Sequence, residues 1–211
     1  MASDARLRDR IDDAGTRAPN LQDRAADNLR FIRDTMARAG AFTSVSGLGM
    51  IAAGTIGLAA SIAASPVLLV ANEPRFLGTW IAAAALAGTL SWIAIRRKAA
   101  RAGQSMMDGP ARRFGLAFMP ALLAGAVLTA AFVMLGQARL LPGTWLSIYG
   151  AAVMAGGALS VRPVPVLGFG FLILGAVCFA LAPQMQGYIL AAGFGGLHLL
   201  FGYHIARHHG G

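Results

Sequence analysis

Long apolar runs separated by short charged stretches dominate the chain from residue 41 onward. A bilayer core about 30 Å thick requires roughly 20 apolar residues per helix. The last charge-free run, 163–206, is too long for one helix, and the polar stretch 183–186 (PQMQ) divides it. The pattern predicts an all-α polytopic membrane protein with six transmembrane helices, near 47–70, 77–95, 115–136, 141–160, 165–182 and 187–206.

Residues 1–40 follow a different, amphipathic pattern. Ser3 is expected to cap a short helix that runs to about Ala14, and Asn20 is expected to cap a second helix. Apolar positions then recur at steps of three and four, with Phe31 beside this stripe; the stripe contains Leu21, Ala25, Leu29, Ile32, Met36 and Ala39. The chain is therefore predicted to consist of a helical arm, 1–40, and a transmembrane bundle, 41–211.

The arm has two interpretations. It can lie in the plane of the lipid headgroups and cover the cytoplasmic mouth of the bundle. It can instead be a docking surface for a cytoplasmic protein through 20–40, with Leu29, Phe31, Ile32 and Met36 as contact residues. The second interpretation draws on charge, because the arm holds 8 Arg and 7 Asp and is nearly neutral, whereas the loop 96–113 is strongly basic.

The charge distribution argues for a lipid-solvated bundle. Residues 41–211 contain only 10 Lys or Arg and 2 Asp or Glu, whereas about a quarter of the residues of a soluble domain are charged. The net charge of +9 could suggest nucleic-acid binding, but the basic loop offers no stacking aromatics apart from Phe114 at its edge. The basic loop is expected to meet anionic lipid headgroups, and no nucleic-acid partner is predicted.

The same basic residues predict the orientation. With a cytoplasmic N-terminus, eight Lys or Arg fall in the inside loops and tail, and only Arg75 and Arg139 fall outside. The first ten residues lack the apolar segment of a cleavable signal peptide. The expectation is a bacterial inner-membrane protein with both termini in the cytoplasm.

The even-numbered spans share a pattern that suggests an internal repeat. Each enters with glycine and an aromatic residue within one turn and leaves at arginine, over 78–96, 143–162 and 187–207. True duplication would give three parallel helical hairpins, whereas any inward-running helix also needs such interfacial anchors. Glycines within the spans are expected to mark close helix packing; they include Gly54, Gly57, Gly88, Gly150, Gly168, Gly195, Gly196 and Gly202.

Histidines are the main candidates for chemistry. His198 lies well inside the last span, so it is either a functional ionisable group or a neutral side chain bonded to a neighbouring helix. It is a weak candidate for a cofactor, since no other span supplies a second haem ligand. His204 and His208 have the four-residue spacing of metal ligands but lack a third ligand nearby. No cofactor or metal is predicted.

Other polar side chains could line a pocket in the cytoplasmic half, namely Tyr149, Tyr203, Thr89 and Trp92. The alternative is hydrogen bonding between helices and an aromatic belt. No Asp or Glu lies inside a span, which disfavours ion-coupled transport. The lone Cys178 is expected to be a packing residue. No catalytic constellation is recognisable, so an enzyme is not expected.

The stretches 28–36 (NLRFIRDTM), 38–43 (RAGAFT) and 195–199 (GGLHL) resemble a group of bacterial six-span membrane proteins with no established activity. The resemblance implies a shared fold and transfers no site residue. The leading hypothesis is a non-enzymatic membrane protein whose arm docks or regulates a partner, as a possible homo-oligomer. The alternatives are a small transporter or channel for a neutral or apolar solute and, more weakly, a cofactor-binding protein using His198.

Overall fold

The computed structural model describes residues 24–33, 45–64, 73–101, 110–158 and 160–208. Within these ranges the regular structure is entirely helical. The chain forms two compact units, Met1–Ala41 and Phe42–Gly211. The predictions for Ser3, Asn20 and Met36 concern positions outside the described residues.

The first unit contains a helix over 24–33, within the second helix predicted for the arm. All of its residues are exposed, and an ion pair joins Arg30 Nη1 to Asp27 Oδ1 at 3.1 Å. Leu29 and Ile32 lie three residues apart and share a face, whereas Phe31 lies about 100° around the helix from Ile32. The helix therefore presents a narrow apolar stripe and a separate exposed ring.

The second unit contains six helices among its described residues, one in each predicted span. They are α1 (Gly47–Ala63), α2 (Glu73–Arg101), α3 (Pro110–Met134), α4 (Leu141–Gly157), α5 (Pro163–Ala180) and α6 (Pro183–His208). The predicted division of the last apolar run into two helices is confirmed, with the break at Leu181 and Ala182; the stretch 183–186, predicted to be the divider, instead forms the first turn of α6.

Four of these helices are long and apolar enough to cross a membrane: α2, the Arg112–Met134 part of α3, α5 and α6. The remaining two, α1 and α4, have 17 residues each and are roughly 26 Å long at 1.5 Å per residue. Ser46 caps α1 by accepting a hydrogen bond from the Gly49 N–H at 3.3 Å. A 3₁₀ turn, Ala138–Leu140, leads into α4.

The distribution of exposed residues is that of a protein solvated by lipid. Only 11% of the apolar window of α2 and 6% of that of α3 are buried within the structure. Large apolar side chains such as Leu123 and Val127 are exposed, whereas the polar side chains of Thr144 and Gln186 are buried. A soluble monomer rarely exposes large apolar side chains along whole helices, so this arrangement supports a multi-pass membrane protein.

Hydroxyl side chains within the helices bond back to their own backbone. Six of them donate to the carbonyl four residues earlier, at 2.7–3.0 Å: Thr55, Ser61, Thr79, Thr89, Thr129 and Thr144. In lipid no water is present to satisfy a polar group, so a local acceptor removes the cost of burying the hydroxyl.

Helix packing does not simply follow the predicted hairpins. Neighbours in sequence do pack for α1 with α2 and for α3 with α4, but α5 packs most extensively on α4, and α6 on α1. Close packing occurs at many of the predicted glycines; an added Cβ at Gly57 would lie 2.5 Å from the Phe194 carbonyl oxygen of α6. Gly88 and Gly196 differ, since a Cβ there would meet nothing within 4 Å among the described residues. Among the described residues, these two glycines do not mark a close helix contact.

Candidate functional site

The most unusual backbone feature of the bundle is a π-helical segment, Ala191–Leu197, in the middle of α6. Its sequence, AAGFGGL, contains three glycines, which have low intrinsic helix propensity and allow close backbone contact. The segment packs on α1 and on α5. Because π turns are rare and often occur at functional sites, this region is the first candidate for a functional site.

His198 follows directly after the π segment and is buried, with 4% of its surface exposed. Its Nδ1 lies 3.1 Å from the Phe194 carbonyl oxygen. A carbonyl can only accept, so Nδ1 carries the proton and donates. The other ring nitrogen, Nε2, lies 2.7 Å from the Tyr149 hydroxyl of α4, which must then donate to it. Both nitrogens of a neutral imidazole are therefore satisfied.

Aromatic rings enclose this pair. Phe171 of α5 has its ring centroid 4.8 Å from that of Tyr149 and 5.2 Å from that of His198. The Phe194 ring lies nearly parallel to the imidazole, at 15° and 6.2 Å. Such contacts contribute about 0.5–1.5 kcal/mol each beyond their buried area. The rings keep the Tyr149–His198 hydrogen bond in an apolar environment.

The ring contacts continue in both directions through the bundle. We call the connected set the aromatic cluster; it comprises Phe76, Trp80, Phe114, Phe118, Trp145, Tyr149, Phe171, Phe194 and His198. The cluster draws side chains from α2, α3, α4, α5 and α6. It therefore forms a filled core around the buried polar pair.

Two tryptophans of this cluster differ in their polar contacts. The indole Nε1–H of Trp145 donates to Thr129 Oγ1 at 2.9 Å. Trp80 lies next to it, with ring centroids 6.3 Å apart, but its Nε1–H has no hydrogen-bond acceptor among the described residues. The Trp80 donor is thus a polar group of the core for which the described structure supplies no acceptor.

Of the four residues predicted to line a pocket, the structure brings only Tyr149 into the core. Thr89 is exposed on α2 and donates to its own helix at Ala85. Trp92 and Tyr203 are 54% and 58% exposed, and the Tyr203 hydroxyl accepts from Arg207 at 3.0 Å. These positions suit interfacial anchoring, and the four side chains do not share one cavity.

The other two candidate histidines lie at the end of α6. The rings of His204 and His208 are 4.5 Å apart, and His208 Nδ1 lies 2.9 Å from the His204 carbonyl oxygen. Within the part of the chain that the structure describes, no three His, Cys, Asp or Glu side chains are grouped as metal ligands. His204 instead lines a surface groove together with Arg162. Cys178 is fully buried in the core, as expected for a packing residue.

Sequence reasoning selected Tyr149 and His198 separately but did not pair them, since they are 49 residues apart on different helices. It also missed Phe171 and Phe194, which look like ordinary span residues in the sequence. The only sequence signal for the π segment is its glycine content. The arrangement as a whole provides a hydrogen-bonded Tyr–His pair in an apolar core, and neither imidazole nitrogen can take a ligand unless Tyr149 or the Phe194 carbonyl is displaced.

Replacing Tyr149 by phenylalanine is expected to lower the free energy of unfolding by about 1–3 kcal/mol, because His198 Nε2 is then buried without a partner. The measurement is the thermal unfolding of the purified protein in a mild detergent. Replacing both residues, as Tyr149→Phe with His198→Leu, should recover part of this loss. Tyr203→Phe is the matched control and should change stability little, since Tyr203 is 58% exposed and its hydrogen bond from Arg207 lies at the surface. A loss no larger than that of the control would contradict the assigned hydrogen bond.

Comparison with known proteins gives no relative from which a function could be transferred: no family model, no curated protein and no solved structure matches this chain.

Proposed function

We propose that the protein is a non-enzymatic, multi-pass protein of the bacterial inner membrane, with both termini cytoplasmic, whose arm docks or regulates a cytoplasmic protein. The observation that carries the proposal is the helix over 24–33. Its apolar residues Leu29, Phe31 and Ile32 are 58%, 68% and 50% exposed. Leu29 and Ile32 have the i, i+3 spacing by which an amphipathic helix is recognised in an apolar groove.

Charge favours a protein over a lipid surface as the binding partner of the arm. Helices that bind membranes in the headgroup plane are rich in Lys and Arg on their polar face. The arm holds nearly equal numbers of Arg and Asp over 1–40, and Arg30 is paired with Asp27. The helix over 24–33 itself carries three Arg and one Asp, but the arm as a whole has a net charge of +1. The whole arm therefore gains little from anionic headgroups, and its mixed charges can form the polar rim of a protein interface.

Protein docking and a position in the lipid headgroups place Ile32 in different environments: water in the absence of a partner, or lipid. A spin label at Ile32→Cys, in a Cys178→Ala background and in nanodiscs without a partner, is expected to collide more with a water-soluble nickel chelate than with oxygen. The opposite preference would place the helix in the headgroups and contradict the proposal. A label at Phe169→Cys is the matched lipid-facing control, since Phe169 is 56% exposed on α5.

Photo-crosslinking from position 32 in cells identifies the partner, and its affinity is then measured against the purified full-length chain in nanodiscs. Leu29→Asn with Ile32→Asn is expected to weaken binding at least 30-fold, since burying two such side chains stabilises a complex by roughly 3–6 kcal/mol. Ala26→Asn, an exposed position about 90° from the centre of the stripe, should leave the affinity unchanged. Equal binding by both variants, or crosslinks to lipid alone, would contradict partner docking.

A second candidate function is the transport of a neutral or apolar solute. It is favoured by the position of the Tyr149–His198 pair directly beside the π segment, where a helix is easiest to rearrange. The test is solute flux into liposomes containing the purified protein, with His198→Leu as the variant. Flux that is absent in the native protein, or unchanged in the variant, would contradict this role. An absorption band at visible wavelengths in the purified protein would instead favour cofactor binding.

A further inference from the structure

A surface groove of about 410 Å³ lies between the start of α5 and the last turns of α6. Its lining residues are Arg162, Pro163, Val166, Leu200, Phe201 and His204. The groove is open on the side that faces the surroundings, and Val166 and Leu200 are 56% and 65% exposed. Its volume is within the range of sites that hold a small molecule.

The lining changes from charged to apolar along the helices. Arg162 immediately precedes α5, and His204 lies four residues before the end of α6. Leu200 lies one helical turn, about 5–6 Å, further into the bundle than His204, and Val166 likewise lies inside Arg162. A molecule in this groove therefore meets a cationic end near the membrane surface and an apolar end below it.

Charge complementarity points to an anion. The chain contains no Asp or Glu after Asp108, so α5 and α6 carry no carboxylate that could neutralise the Arg162 guanidinium. The backbone contributes little, because Pro163 has no N–H and the Val164 N–H donates to Val161 at 3.0 Å. Arg162 is the main anion-binding group of the groove, since its planar guanidinium matches two phosphate oxygens.

We propose that this groove binds one anionic phospholipid, with the phosphate held by Arg162 beside His204 and an acyl chain along Val166, Leu200 and Phe201. The two ends of the groove match the two ends of such a lipid. A net-negative headgroup fits better than a zwitterionic one, whose ammonium would lie near the guanidinium. Such a lipid site depends on the membrane location of α5 and α6 and not on the role of the arm.

The test is lipid binding to the purified full-length chain in detergent, counted by native mass spectrometry. Phosphatidylglycerol is expected to bind as one retained lipid, at least tenfold more tightly than phosphatidylcholine. Arg162→Gln should reduce that affinity at least tenfold, whereas Arg139→Gln, the same change at an exposed position outside the groove, should not. Equal retention of the two lipids, or equal effects of the two variants, would overturn the proposal.

Two further measurements test whether the bound phosphate belongs to a lipid and whether the result depends on the folding of one variant. Inorganic phosphate should not compete with phosphatidylglycerol at millimolar concentration; full competition would indicate a free-anion site and overturn lipid binding. Leu200→Trp fills the apolar end while it keeps Arg162, and it should also release the lipid. Because Leu200 is exposed, this variant tests the proposal even if Arg162→Gln fails to fold. Lipid retention in a folded Leu200→Trp protein would contradict the placement of the acyl chain.

Discussion

Replacing Phe171 by alanine is expected to lower the free energy of unfolding by about 3–5 kcal/mol, the usual cost of removing a buried phenylalanine ring. Phe171 has no exposed surface, and its ring lies within 5.2 Å, centroid to centroid, of those of Phe194 and His198. The cavity would open beside the Tyr149–His198 hydrogen bond, so the loss combines missing packing with a less ordered polar pair.

The measurement is the midpoint of unfolding of the purified protein in detergent, by heat or by increasing amounts of a denaturing detergent. Phe169→Ala is the matched control, because this residue lies on the same helix and is 56% exposed. The control should change stability by less than about 1 kcal/mol, as substitutions on an exposed surface usually do. Equal losses for the two variants would mean that the aromatic cluster does not stabilise the bundle.

Replacing Gly150 by alanine is expected to destabilise the contact between α4 and α5 by about 3 kcal/mol, the upper end of the usual cost of overpacking. The new Cβ would lie 2.7 Å from the Gly168 carbonyl oxygen and 2.9 Å from the Leu172 amide nitrogen. Both are backbone atoms that no rotamer change can move. The two helices would have to separate, and contacts along their whole interface would lengthen.

Gly88→Ala is the control for Gly150→Ala, since a Cβ there meets nothing within 4 Å among the described residues. It should leave stability unchanged or raise it by about 0.5–1 kcal/mol, because alanine is the better helix former. The readout is the fraction of protein that stays monodisperse after heating, measured by size-exclusion chromatography. If Gly150→Ala were as stable as Gly88→Ala, the close crossing of α4 and α5 would be wrong.

The positions of the helices could be read from the sequence because the bilayer sets their length and composition. Each predicted span overlaps one helix of the described residues, and a polar stretch of only four residues predicts the division of the last apolar run, although that stretch itself forms the first turn of α6. Four of the helices meet the length and hydropathy expected of a membrane span. The hydropathy of a segment reflects its preference for lipid over water, so each helix can be predicted without knowing which other helices it contacts.

The packing partners of the helices could not be predicted in this way. The repeated glycine, aromatic and arginine positions suggest three hairpins, but any inward-running helix needs such interfacial anchors, so the pattern does not specify which helix each span contacts. Lipid is as apolar as the side chains, so helix association depends on small residues and shape. The contact between Gly150 and Gly168 is invisible in a sequence that contains 27 glycines.

The candidate site was predicted only in part, for a related reason. Tyr149 and His198 are unusual residue types for a membrane span and were therefore selected, whereas their hydrogen bond depends on the packing of α4 near α6. Trp92 and Tyr203 were grouped with Tyr149 because aromatic rings with polar atoms occur both in pockets and at membrane interfaces. The sequence alone does not distinguish the two settings.

The π segment of α6 determines where this helix can lose a residue without a change in the faces of its two flanking parts. An i→i+5 turn holds one residue more than an α-helical turn. Loss of one residue of the π segment before Phe194, for example the exposed Ala192, would return the turn to α-helical spacing, while Phe194 and His198 stay four residues apart and the two flanking parts of α6 keep their faces. An insertion or deletion within 183–190 would instead rotate His198 by about 100° relative to the start of α6, and one within 199–208 would rotate the last turns of α6 relative to His198. The wide turn thus marks the position in α6 where a one-residue length change is compatible with an intact core.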